Sequence, residues 1–171
     1  HPTVPPLAAA LAVGEQRHAT GAQFLEAFLT GFEVECKISE AIAPAHYKKG
    51  FHSSGTVGTF GAMTASAKLL GLDGDRVAHA LAIAASTAAG IRVNFGTMTK
   101  PLHVGRAAQN GVVAAELAGA GFTGGTDALD PPWGFFQVFS HGDGFDPDRI
   151  VGVLGQPHTI VSDRKSTRLN S

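Results

Sequence analysis

The chain has 171 residues, 44% of them hydrophobic and 16% charged, with a formal net charge of −1. That length supports one domain with a real core, and the near-neutral balance argues against a nucleic-acid partner held by a general basic field. No apolar run reaches membrane-spanning length, and the single cysteine, Cys36, permits neither an internal disulfide nor a cysteine-ligated metal cluster, so a reduced cytoplasmic protein free of membrane and nucleic acid is the expectation. Residues 5–13, PPLAAALAV, read as a helix with proline in its first turn. Thr20 or Gly21 opens a second helix, QFLEAFLTGFEVECKIS, in which Phe24, Leu25, Phe28, Leu29, Phe32 and Cys36 recur at helical spacing and mark the expected core stripe. On that stripe Cys36 is a packing residue rather than a nucleophile.

Residues 43–59, APAHYKKGFHSSGTVGT, show no clean period and are expected to form a long functional loop. A helix follows from about Thr59 to Leu70, closed by Gly71. Asp73 caps the next, which runs to Gly90 with Val77, Ala80, Leu81, Ala84 and Ala88 as a small-residue face. A loop over 91–100 leads into a helix over 101–118, with Gly119 and Gly121 as stops. WGFFQVF and DPDRIVGVL read as short helical segments, the second with a capping aspartate, and HTIVS is the one candidate strand. The class is therefore all-α, with no solenoid repeat. A helical-domain fragment over 1–161 and a non-native or disordered tail over 162–171 are expected. Without the tail's Arg164, Lys165, Arg168 and Asp163 the body is somewhat acidic, so any cationic site must be local.

The candidate chemistry begins at Lys100. Pro101 suits the first position of a helix, so Lys100 stands at a helix N-terminus, where a cation opposes the dipole. That placement makes sense if an anion binds between them. His103 and Arg106 follow at three-residue steps and can lie along one side of the first turns. From spacing alone, a solvated lysine and an Arg106 paired at the surface are the commoner outcome. The stretch GFHSSGTVGTFG places His52 among hydroxyls and glycines, where Ser53 and Thr56 can hydrogen-bond carboxylate oxygens and His52 can act as acid or base. The same residues also suit a capping loop. His1, at the chain end, carries no weight by itself. The eight histidines show no paired metal spacing, and GFTGGTDALDPPWG has no strand before it and no phosphate-loop lysine, so no metal is expected. Asp127 and Asp130 read as loop acids, and His18, His79 and His141 as exposed helix or loop residues.

Two blocks, YKKGFHSSGTVGTFGAMTASAKLLGLD and VNFGTMTKPLHVGRAAQNGVVAAELAGAGFTG, together resemble the MmgE/PrpD family of 2-methylcitrate dehydratases and cis-aconitate decarboxylases, a likeness that extends over residues 1 to about 161. The resemblance implies part of the large helical domain of a two-domain protein, with the lid domain missing, in a homodimer that uses no cofactor. It implies small di- or tricarboxylic acids as substrates. By the same resemblance the catalytic positions are His1 in a His-Pro element, His52 in GFHSSGT and Lys100 in MTKPLH. Ser53, Thr56, His103 and Arg106 are candidate substrate-binding residues beside them. The family pattern also puts an acid and a hydroxyl residue shortly before His-Pro, ahead of this chain's first residue, and DRKSTRLNS stands where a lid segment with a further histidine would follow. The reading is a cofactor-independent lyase, dehydratase or decarboxylase, present as a fragment expected to be inactive alone. The alternatives are an isomerase or epimerase on a related dicarboxylate, and a non-catalytic helical module that dimerises or binds an acid.

Overall fold

The computed structural model describes residues 1–130, 132–140, 145–153 and 157–162. Their elements are α1 (Val4–Gln16), α2 (Gly21–Ile42), α3 (Ala45–Lys48), α4 (Ser53–Thr56), α5 (Gly58–Leu70), α6 (Gly74–Thr87), a 3₁₀ turn (Arg92–Asn94), α7 (Thr99–Gly119), α8 (Phe135–Ser140), α9 (Asp148–Val151) and α10 (Thr159–Ser162). No strand occurs among the described residues; an isolated bridge pairs Phe51 with Ile91. The expected tail lies outside the described residues except for Ser162, as does His141.

Local chemistry sets most boundaries. Thr20 Oγ1 accepts from the Gln23 N–H at 3.3 Å, and Gln23 Oε1 accepts from the Thr20 N–H at 2.8 Å, a capping box that starts α2. Asp73 accepts from the Arg76 N–H at 2.9 Å and starts α6. Gly71, at φ 68°, ends α5 in a conformation few other residues adopt. The expected end of α6 at Gly90 is too late: the helix stops at Thr87, whose carbonyl accepts from Asn110 Nδ2 at 2.9 Å instead of from a further turn. Helix α7 begins at Thr99, two residues before Pro101, so Lys100 is already inside its first turn.

Three expectations need larger correction. The segment 43–59 is not a loop but two helical turns and the start of α5. Its hydroxyls turn inward: Thr59 Oγ1 donates to the Gly55 carbonyl at 3.2 Å, which lets a Ser/Thr-rich stretch be helical and buried at once. HTIVS is a helical turn, not a strand; in a helical domain it has no ladder to join, and the Thr159 N–H donates to Glu33 Oε2 at 2.6 Å. On α2, the apolar stripe is half outside. Leu25 and Leu29 are exposed and Cys36 is half-buried, while Ala27, Gly31, Phe32, Ile38 and Ile42 are buried.

The reason lies in α5, which is buried along nearly all its length and packs against α1, α2, α6 and α7. A Cβ at Gly31 would fall on the Gly61 carbonyl, and one at Gly111 would sit 2.5 Å from both Ala62 Cβ and the Met63 nitrogen. The helices thus meet backbone to backbone, and that contact selects small residues rather than bulky ones. Larger side chains gather in one cluster that includes Phe60, Met63, Ile38, Ile42, Phe135 and Phe136, with the Phe60 and Phe135 rings 4.7 Å apart edge to face.

Candidate functional site

The site forms where two chain segments cross. The Phe51–Ile91 bridge, with the His52 N–H donating to the Gly90 carbonyl at 3.0 Å and the Arg92 N–H to the Gly50 carbonyl at 2.8 Å, ties the start of α4 to the segment that feeds α7. Arg92 reinforces the tie: its guanidinium lies 3.9 Å over the Tyr47 ring and donates to the Tyr47 carbonyl at 3.0 Å. This crossing sets His52 beside the first turns of α7.

There His52 and His103 meet, with their Nδ1 atoms 3.1 Å apart. Phe95 stands against both His52 and Lys100: the His52 ring is edge-on to it at 4.8 Å, and the Lys100 ammonium lies 4.6 Å from its centroid. His52, only 5% exposed, has its pKa lowered to about 4 by burial first, then by the like charges of His103 and Lys100. It is therefore a neutral ring at pH 7. Beside it runs an open groove of about 540 Å³ whose wall includes Thr87, Gly90, Leu102, His103, Arg106 and Asn110. Arg106 is exposed on that wall, its guanidinium donating to Gln109 Oε1 at 2.6 Å. His52 and Lys100 do not line the groove; they meet across Phe95 at its side, with His103 between His52 and the open space.

The structure therefore gathers His52, Lys100, His103 and Arg106, and leaves Ser53 half-buried next to them. It sends Thr56 elsewhere. That side chain is fully buried, and its hydroxyl lies 2.7 Å from His46 Nε2. His46 Nδ1 faces the Phe139 carbonyl at 3.2 Å, which only accepts, so that nitrogen donates there; the Thr56 hydroxyl also lies 3.3 Å from the His52 and Ser53 carbonyl oxygens. Thr56 is a core residue rather than a ligand contact. His1 is exposed ahead of α1, and no described contact joins it to His52 or Lys100. It stands at the same end of α5 all the same, because a Cβ at Gly58 would lie 2.6 Å from Pro5 Cγ.

Two groups went unnoticed in the sequence. His46, stacked on Phe51 with ring centroids 4.7 Å apart, is the buried partner of Thr56. Glu35 sits on the α2–α5 seam, 4% exposed, with no hydrogen-bond partner for Oε2. Burial raises its pKa well above the ordinary carboxyl value, against an opposing pull from the chain's amino terminus. Nothing in the pattern of α2 distinguishes Glu35 from an exposed helix glutamate. His79 also differs from expectation: it is half-buried, and its Nδ1 lies 2.9 Å from the Gly124 carbonyl. His18, Asp127 and Asp130 are exposed as expected. No cluster of three or more His, Cys, Asp or Glu suited to a metal occurs among the described residues, and no described helix is long and apolar enough to cross a membrane.

Residues 1–148 match the family model of the MmgE/PrpD N-terminal domain. The chain is 40% identical to the cis-aconitate decarboxylase of Homo sapiens over 123 residues, 71% of this chain and 26% of that protein. It is 37% identical to the cis-aconitate decarboxylase of Mus musculus over 153 residues, 89% of this chain and 30% of that protein. A cis-aconitate decarboxylase-like protein of Aspergillus oryzae is 32% identical over 164 residues, 90% of this chain and 34% of its own length. The chain thus spans about a third or less of the relatives it matches.

Proposed function

Because the chain belongs to the MmgE/PrpD family through that N-terminal domain, we propose that it supplies the carboxylate-gripping part of a cofactor-independent lyase acting on a small di- or tricarboxylic acid such as cis-aconitate or 2-methylcitrate. The observation that carries this reading is the convergence of His52 and Lys100 on Phe95, beside a groove whose wall holds His103 and Arg106.

Each residue has a role that its surroundings suit. Lys100, in the first turn of α7, binds a substrate carboxylate at the positive end of that helix. Arg106 takes a second carboxylate from the groove side. In decarboxylation the C–C bond to the leaving carboxylate breaks, CO2 departs, and the electron pair stays on carbon. A neighbouring carboxylate held by Lys100 spreads that charge. In dehydration the same grip stabilises charge while a proton leaves carbon and the hydroxyl departs as water. His52, whose proton affinity is lowered by burial, donates to the bound acid or relays the proton, and His1 transfers it to or from carbon. Ser53 adds a hydroxyl contact. In this reading the chain, a third or less of the length of its relatives, is inactive by itself.

The test uses a protein of the relatives' full length that contains this chain, incubated with cis-aconitate and with 2-methylcitrate in heavy water and followed by NMR. The expected result is loss of CO2 or of water, with kcat/KM lowered about 10²- to 10³-fold in Lys100→Ala. Deuterium exchange without loss of mass otherwise would replace the lyase by an isomerase. Turnover that survives Lys100→Ala intact would remove the site from the chemistry.

A further inference from the structure

Two imidazole nitrogens 3.1 Å apart cannot both carry a hydrogen, nor both present a lone pair. One ring must donate and the other accept, so each fixes the tautomer of its neighbour. We propose that His103 is a positioning residue for His52: the His103 Nδ1–H donates to His52 Nδ1, which holds the His52 hydrogen on Nε2 and makes the far edge of that ring an N–H donor. The geometry stands by itself; the purpose, an N–H offered to a carboxylate, rests on the lyase reading above.

Solvation decides the direction. His103 is half-buried on the groove wall, whereas His52 is almost excluded from water. An added proton costs less on the more solvated ring, and a doubly protonated imidazole can only donate. Lys100 adds to the bias, since it faces His52 across Phe95. The lowered proton affinity of His52 agrees with its being the acceptor.

The fold also fixes the His103 ring in place. A Cβ at Gly55 would lie 3.1 Å from His103 Cβ and 2.7 Å from the Ala89 carbonyl oxygen. A Cβ at Gly90 would lie 3.3 Å from His103 Cγ and 3.4 Å from its Nδ1. Gly90, at φ 140°, is in a conformation that residues with side chains rarely adopt. Two glycines thus form a slot just wide enough for this imidazole. The Gly90 carbonyl accepts from the His52 N–H, so one residue locates both partners.

The tautomer can be read directly from imidazole 15N shifts in histidine-labelled protein near neutral pH, because bare and protonated ring nitrogens are well separated. For the unsubstituted chain we expect a protonated Nε2 and a bare Nδ1 on His52. In His103→Leu that pattern collapses into a tautomer mixture. In His103→Asn, whose amide N–H can reach the same acceptor, it is retained. In a protein of the relatives' full length that contains this chain, kcat is expected to fall about 10- to 100-fold in His103→Leu and to recover in part in His103→Asn. A protonated Nδ1 on His52 in the unsubstituted chain overturns the proposal without recourse to any variant, and so does a His52 pattern unchanged in His103→Leu. The expected spectra together with no turnover of any carboxylic acid would uphold the positioning role and remove the lyase reading.

Discussion

Glu35 and His52 are both nearly shut off from solvent, one on the α2–α5 seam and the other beside the start of α7, and the fold moves their proton affinities in opposite directions. On the seam, glycine-to-glycine contact brings two helix backbones together and leaves no room for water, so the carboxyl is pushed toward its neutral, protonated form. At the start of α7 the chain is crossing between helices. A groove opens beside it, and the buried ring has a histidine and a lysine for company. In both, burial disfavours the charged form. Only the second stands where an incoming anion can reverse the shift, since a bound dicarboxylate would restore proton affinity to His52.

The contrast is tested most severely at Gly31. Gly31→Leu drives a side chain into the Gly61 carbonyl, Ala65 and Pro6, and should cost more than about 3 kcal/mol, seen as a large drop in the urea midpoint. Lys100→Ala, at the other region, should move that midpoint by no more than about 0.5 kcal/mol. Comparable losses from both substitutions would mean that the α7 start is as much a structural element as the seam.

Titration separates the two regions next. The folded pKa of His52 lies below its ordinary value, so the unfolded chain binds the proton more tightly. Its contribution to stability is complete above about pH 6.5 and is lost as pH falls from there toward about 4, by at most about 3 kcal/mol. His52→Gln should flatten that acid limb. Glu35 has the opposite sign. Its folded pKa is raised, so its contribution is complete below the ordinary carboxyl pKa and is lost as pH rises through the folded value. Glu35→Gln, which keeps the shape and removes the ionisation, should abolish that decline with rising pH. Urea midpoints from pH 4 to 9 measure both limbs on one protein.

What the sequence made legible follows from the same division. Helix starts and stops are local chemistry, and Thr20, Gly71 and Asp73 could be read directly. The blocks around His52 and Lys100 were legible as a pair, and the fold does bring those residues to one place. Thr56 was misjudged because a hydroxyl near a histidine looks the same whether it faces a ligand or a buried ring; only the position of His46, fixed by Phe51 and Phe139, decides. Residues 43–59 looked like a loop because Gly, Ser and Thr are poor helix formers in water, a preference that burial and hydroxyl-to-carbonyl bonds override.

The α2 stripe carries the last and smallest effect. Ranking residues by bulk puts Leu25 and Leu29 inside, yet Leu25 is 55% exposed while Ala27 and Gly31 have almost no exposed surface. If close backbone contact rather than side-chain volume chooses the buried face, then Leu25→Ser removes a surface leucine and should change stability by no more than about 0.5 kcal/mol. Ala27→Ser, a smaller change in volume on the buried face, should cost more, because its hydroxyl enters a seam with no water. Thermal unfolding of the two variants side by side orders them. A larger loss from Leu25→Ser would return the core of α2 to its bulky stripe and take away the reason for reading Glu35 as a seam residue.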